Sequence, residues 1–110
     1  MRFTTTASFD RDLKRLKAEH KREFVAVVRD KFVAACDACD AWAAAQEARQ
    51  AFVWPKSLRV NELVNTHGVM EMTWSFASPD GRATFAFTRD DKGWVCVWRR
   101  VGDHDVFGKP

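Results

Sequence analysis

The residues best suited to chemistry cluster late in the chain, where the run Trp94-Val-Cys-Val-Trp-Arg-Arg-Val-Gly-Asp-His-Asp-Val-Phe107 carries Arg99, Arg100 and His104. An imidazole titrates near neutrality, so His104 can take or give a proton at physiological pH, and guanidinium groups beside it can hold an anion. Asp103 and Asp105 flank the histidine, and either can orient its ring. Val95 and Val97 alternate with Trp94, Cys96 and Trp98, a mixture of β-branched and aromatic residues that specifies a buried strand. The charged groups therefore stand where a rigid strand ends. If that strand stays regular, Arg99 and Arg100 point to opposite faces, and parity places Arg100 on the face of Trp98.

A second motif, Cys36-Asp-Ala-Cys39, has redox-like or zinc-like spacing. It lies in an Ala-rich helical stretch, and no second CxxC or HxxxH completes four ligands, so its thiols are read as structural and no metal or other cofactor is expected. The chain has three Cys, an odd number, and opens on the polar Met1-Arg2-Phe3-Thr4-Thr5-Thr6 rather than on a secretory apolar segment. Both features predict a cytoplasmic protein with reduced thiols. No run approaches the roughly 18 apolar residues of a membrane span, so membrane placement is excluded.

Lys and Arg number 18 against 15 Asp and Glu, a net charge of +3 that is too small to diagnose nucleic-acid binding. The distribution says more. Between Arg11 and Arg22, the cations Arg11, Lys14, Arg15, Lys17, Lys21 and Arg22 meet only Asp12 and Glu19, whereas the charges from Asp37 to Glu47 are all acidic. The basic cluster is either a solvated helix face or a phosphate contact. His20 and His67 are read as surface residues.

The elements that must position these groups follow from periodicity. At 110 residues, 46% hydrophobic with five Trp and nine Phe, the chain fits one domain spanning residues 1–110 with an adequate core. Phe3 to Thr6 reads as an opening strand, and Ser8 as the N-cap of a basic amphipathic helix containing Leu13 and Leu16. The pattern resets around His20. Phe24, Val28, Phe32 and Cys36 then recur every four residues along a second helix, which Ala-rich sequence extends toward Trp54-Pro55. Strands are expected over Leu58 to Leu63, Val69 to Phe76, Ala83 to Arg89 and Trp94 to Val101. The turns between them, Asn65-Thr-His-Gly68, Ser78-Pro-Asp-Gly81 and Asp90-Asp-Lys-Gly93, are short and end in Gly, which implies antiparallel neighbours. The order β-α-α-β-β-β-β predicts an α+β fold with a helical hairpin on one face of a twisted, mainly antiparallel sheet.

That order, together with Ser8-Phe-Asp-Arg-Asp-Leu-Lys-Arg-Leu16, Gly68-Val-Met-Glu-Met72, Asp80-Gly-Arg-Ala-Thr-Phe85 and Gly102-Asp-His-Asp-Val-Phe107, resembles the RelE/ParE superfamily of bacterial toxins over nearly the whole chain. The resemblance implies the toxin of a type II toxin-antitoxin system, bound by a cognate antitoxin in a hetero-oligomer. Most such toxins are endoribonucleases that cut mRNA on the ribosome without metal, the ribose 2′-hydroxyl attacking the adjacent phosphate. A ParE-like branch instead inhibits DNA gyrase, and a degenerate member would keep only protein association.

On this resemblance Arg82 matches the arginine that grips the scissile phosphate, with forked donors suited to charge rising on equatorial oxygens. His104 falls where relatives place a histidine or basic residue, as general acid or base. Lys56 and Arg59 stand near a position of phosphate-binding charge after a proline, and Arg100 accompanies His104. Phe107 replaces the terminal tyrosine of many relatives, and the chain has no Tyr, so tyrosine-based proton transfer is excluded. Phe107 either stacks on an RNA base or seals the core edge. Glu71 resembles a frequent strand glutamate and is read as a structural partner for a basic side chain. The net charge is milder than is common among the RNA-cutting members.

Overall fold

A computed structural model of the chain describes residues 1–44, 52–64, 66, 68–75, 80–103 and 110. The order is β1 (Arg2–Thr5), α1 (Ala7–Arg15), α2 (Ala18–Val27), a π-helical turn (Val28–Phe32), α3 (Val33–Ala44), a 3₁₀ turn (Lys56–Leu58), β2 (Asn61–Glu62), β3 (Met70–Ser75), β4 (Gly81–Asp90) and β5 (Gly93–Gly102). The five strands form one sheet in the order β1-β5-β4-β3-β2. Only the β1–β5 pair is parallel, because the helices carry the chain across the sheet between them; the other pairs are antiparallel. This is the α+β arrangement expected from the sequence. Among the described residues no helix is long and apolar enough to cross a membrane.

Local differences have local causes. The N-cap of α1 is Thr6, not Ser8: Thr6 remains extended after β1, its Oγ1 accepts the Phe9 N–H at 3.1 Å and donates to the Arg99 carbonyl at 2.8 Å. Ser8 already lies inside the first turn. The chain reverses at Leu16 and Lys17, both extended, rather than around His20, which falls within α2.

The expected strand from Leu58 to Leu63 is reduced to Asn61–Glu62. Pro55 leads into the 3₁₀ turn, and Arg59 takes the left-handed conformation at φ 45°, which breaks the extended run. Fully buried Leu58 anchors that turn.

From Ala18 to Ala44 the helical backbone runs on through the π turn, with Val27, Val28 and Val33 all in right-handed helical geometry. In a pure α-helix of 3.6 residues per turn, Phe24 and Cys36 would end about 120° apart around the axis. The wider π turn between them reduces that drift, and Phe24, Phe32 and Cys36 are all buried on the sheet. The four-residue recurrence in the sequence is thus matched by the turn that accommodates it.

Trp98 of β5 stands at the centre of the helix-covered face, with its ring 4.7 Å from Phe32, 5.4 Å from Phe24, 5.5 Å from Phe85 and 5.9 Å from Phe9. Each such buried ring contributes roughly 1.5–3 kcal/mol through burial alone. The core therefore clamps α1, α2 and the π turn onto β4 and β5, and fixes the strands that carry the candidate arginines.

Candidate functional site

Among the described residues no helix covers the opposite face of the sheet, yet side chains on it are deeply buried and polar. Glu71, Thr73 and Ser75 of β3 and Thr84 of β4 are all buried. Strand register arranges them in two rows: Glu71 faces Thr84, which faces Arg100, and Thr73 faces Arg82, which faces Gly102. Arg82 therefore begins the central strand β4, flanked by β3 and β5.

The Arg82 guanidinium donates through Nη1 to Glu71 Oε1 and through Nη2 to Asp80 Oδ2 at 3.0 Å. Asp80 stands two residues before Arg82, beyond Gly81, a position where only glycine fits: an added Cβ would lie 2.5 Å from the Trp74 ring. Burial pushes the Glu71 carboxyl above the ordinary carboxylate range, and the hydrogen bond and charge of Arg82 pull it only partly back. Glu71 Oε2 and Thr73 Oγ1 are buried without a hydrogen-bond partner among the described residues. The expectation that Glu71 partners a basic side chain describes this contact.

The two arginines of β5 are separated by a bulge. Phe85 pairs with Trp98 but Thr84 pairs with Arg100, so Arg99 is the extra residue. Parity counted through the bulge fails: Arg100 shares a register position with Thr84, not the helix-side row of Trp98 and Phe85. Its guanidinium nevertheless reaches α1, with Nε 2.6 Å and Nη2 3.1 Å from the two oxygens of Asp12. Asp12 Oδ2 also accepts the Val101 N–H at 3.2 Å. β1 ends at Thr5, opposite Trp98, so the edge of β5 beyond it is finished by side chains of Thr6 and Asp12. Arg99 Nε and Thr84 Oγ1 both donate to the Pro110 backbone oxygen, at 3.0 and 3.1 Å.

The structure thus brings Arg82 and Arg100 onto adjacent central strands. Lys56 and Arg59 are exposed on the turn before edge strand β2, which β3 separates from β4. His104 and Phe107 lie outside the described residues, as do Asp105 and His67. Sequence reasoning missed Asp12 and Asp80 as partners of arginines. The signal for Asp12 was its isolation: it is one of only two acids within the basic run from Arg11 to Arg22.

That run forms the corner where α1 meets α2. Lys14, Arg15, Lys17 and Arg22 are exposed, and among the described residues no ion pair engages them. Lys17 is the N-cap of α2 and makes no side-chain capping bond, so a cation stands at the positive dipole end of α2, with Glu19 in the first turn opposing it. Between α1 and α2 lies an open apolar groove of about 370 Å³, floored by Trp98 and Phe24 and walled by Leu13, Val25 and Val28. Val25 is 49% exposed there.

No protein-family model matches the chain, no curated protein is significantly similar to it, and no solved structure matches its fold at a significant level. Among the described residues no cluster of His, Cys, Asp or Glu is arranged to hold a metal ion.

Proposed function

We propose that this chain is a toxin of the RelE/ParE kind, the effector of a type II toxin-antitoxin pair, and that it is an endoribonuclease cutting ribosome-bound mRNA. The observation that carries this reading is the position of Arg82: at the start of the central strand, on the face that no described helix covers, beside the strand that leads in sequence through Gly102 to His104. In this reading Glu71 holds Arg82 while Asp80, whose side chain is 32% exposed, yields its place to the scissile phosphate. The guanidinium then faces the oxygens on which charge grows as the 2′-hydroxyl attacks, and His104 exchanges the proton. The exposed cations of the α1–α2 corner meet the RNA backbone. The apolar groove between α1 and α2 takes part of the cytoplasmic partner, the cognate antitoxin.

A second reading is favoured by one contact. Arg82 is bound by two carboxylates, which suits a residue that shapes a surface as well as one that grips phosphate. A non-enzymatic, gyrase-inhibiting toxin of the ParE type would need no more. Primer extension on a reporter mRNA in a translating extract separates the two, with wild type compared against His104→Ala and Arg82→Lys. Cuts made by wild type and lost in His104→Ala support the nuclease. Absence of cuts, with inhibition of DNA supercoiling by purified gyrase, supports the second reading, and absence of both activities overturns each.

A further inference from the structure

Arg82 meets two carboxylates that differ in exposure: the Glu71 side chain is 4% exposed and the Asp80 side chain 32%. They also differ in the nitrogen they occupy. Nη1 donates to Glu71 Oε1, and Nη2 donates to Asp80 Oδ2 at 3.0 Å. A guanidinium grips two oxygens of one anion through either of two forks, side-on with Nε and Nη2 or end-on with Nη1 and Nη2. The side-on fork occurs in this molecule, where Arg100 Nε and Nη2 take the two oxygens of Asp12. Both forks use Nη2. On Arg82 that is the nitrogen Asp80 covers.

We propose that Asp80 is an internal stand-in for phosphate, an autoinhibitory contact that keeps Arg82 closed to any anion with no other hold on the protein. This inference rests on the reading of Arg82 as the phosphate-gripping residue and concerns how that site is regulated. Glu71 is the fixed arm of the clamp, because it is buried and holds Nη1 from within the sheet. Asp80 is the removable arm. Gly81, between Asp80 and Arg82, lies so close to the Trp74 ring that an added Cβ would overlap it, so the backbone beside Asp80 is held and the carboxylate leaves by turning about its own side-chain bonds. Two carboxylates share one guanidinium here, so an incoming anion meets repulsion as well as an occupied donor. The cost of displacing Asp80 is the same for every anion. Free phosphate has nothing to offset it, whereas a nucleic-acid backbone that also meets the exposed cations Lys14, Arg15, Lys17 and Arg22 does.

The experiment titrates inorganic phosphate into the purified protein in chloride buffer and follows the backbone amides of Gly81 and Arg82 by NMR. In Asp80→Asn, which keeps the shape of the side chain and removes its charge, these amides should shift with an apparent phosphate affinity about tenfold or more above wild type. The response should disappear in the double variant Asp80→Asn/Arg82→Gln. Asp80→Ala opens the same nitrogen and decides the question if Asp80→Asn does not fold. Equal phosphate affinity in wild type and the Asp80 variants overturns the proposal, as does the absence of any response in those variants. The titration contains no RNA and no ribosome, so a wild type that leaves mRNA uncut sinks the nuclease reading while the role of Asp80 is still decided by phosphate.

Discussion

On the helix-covered side of the sheet, Trp98 meets four phenylalanine rings; on the opposite side, Glu71, Thr73, Ser75 and Thr84 are as deeply buried but polar. The aromatic side is held by area and ring geometry, which act without direction and tolerate no cavity. The polar side depends on partners: Arg82 on Glu71 and Asp80, Arg100 on Asp12, Thr84 and Arg99 on the Pro110 oxygen. Close packing with charge left inside is costly for stability alone, since apolar residues of similar volume would often serve as well or better. The polar face is therefore where function is to be sought, and the aromatic face is what keeps it rigid.

Substitutions on the two faces should differ in kind as well as size. Phe32→Ala, removing a fully buried ring that contacts both Trp98 and Phe85, should cost about 3–5 kcal/mol in urea unfolding, with little dependence on pH. Arg82→Ala should cost about 3 kcal/mol at neutral pH, because it strands the Glu71 carboxylate. Its loss should shrink as acid protonates Glu71. The raised Glu71 pKa fixes the sign in wild type: the folded state binds this proton more tightly, so this group's contribution to stability falls as pH rises from about 4.5 through the raised value. Glu71→Gln should flatten that segment of the stability profile. If Arg82→Ala shows no pH dependence, the proposed contrast between the faces fails.

Smaller effects test how the polar side is tied to the helices. Asp12→Asn should cost about 1–2 kcal/mol by removing the charge that binds Arg100 and weakening the cap on the Val101 N–H, measurable by thermal unfolding. Thr6→Ala should cost about 1 kcal/mol through loss of the α1 cap. The least effect belongs to Asp90→Asn on the exposed rim. The hydrogen bond from Arg2 holds Asp90 below the usual carboxylate range, so its small contribution is present above pH 3.8, is lost as pH falls, and should vanish in high salt.

Much of the architecture was legible because it rests on local pattern. Alternation in β4 and β5, the turn from Asp90 to Gly93 and the helical stripe each specify an element through contacts between near neighbours in sequence, whereas the turns at Asn65 to Gly68 and Ser78 to Gly81 lie partly outside the described residues. Arg82 was legible as a strand-start charge, and Glu71 as a partner for a base. The short β2 was not legible, because the left-handed turn at Arg59 leaves no mark in a sequence without Gly or Asn at that position. Nor was the bulge at Arg99, and a single inserted residue is enough to reverse the parity on which Arg100 was assigned.

The sequence alone determined the α+β class, the order of elements and the apolar residues of the core, since these follow from backbone periodicity and side-chain hydrophobicity. Only the tertiary structure decided which charges meet. Asp12 and Arg100 are 88 positions apart, and Glu71 and Arg82 are 11 apart, yet each pair is hydrogen-bonded. Such pairings arise from strand register and helix docking, which are cooperative properties of the whole packed chain and have no local signature.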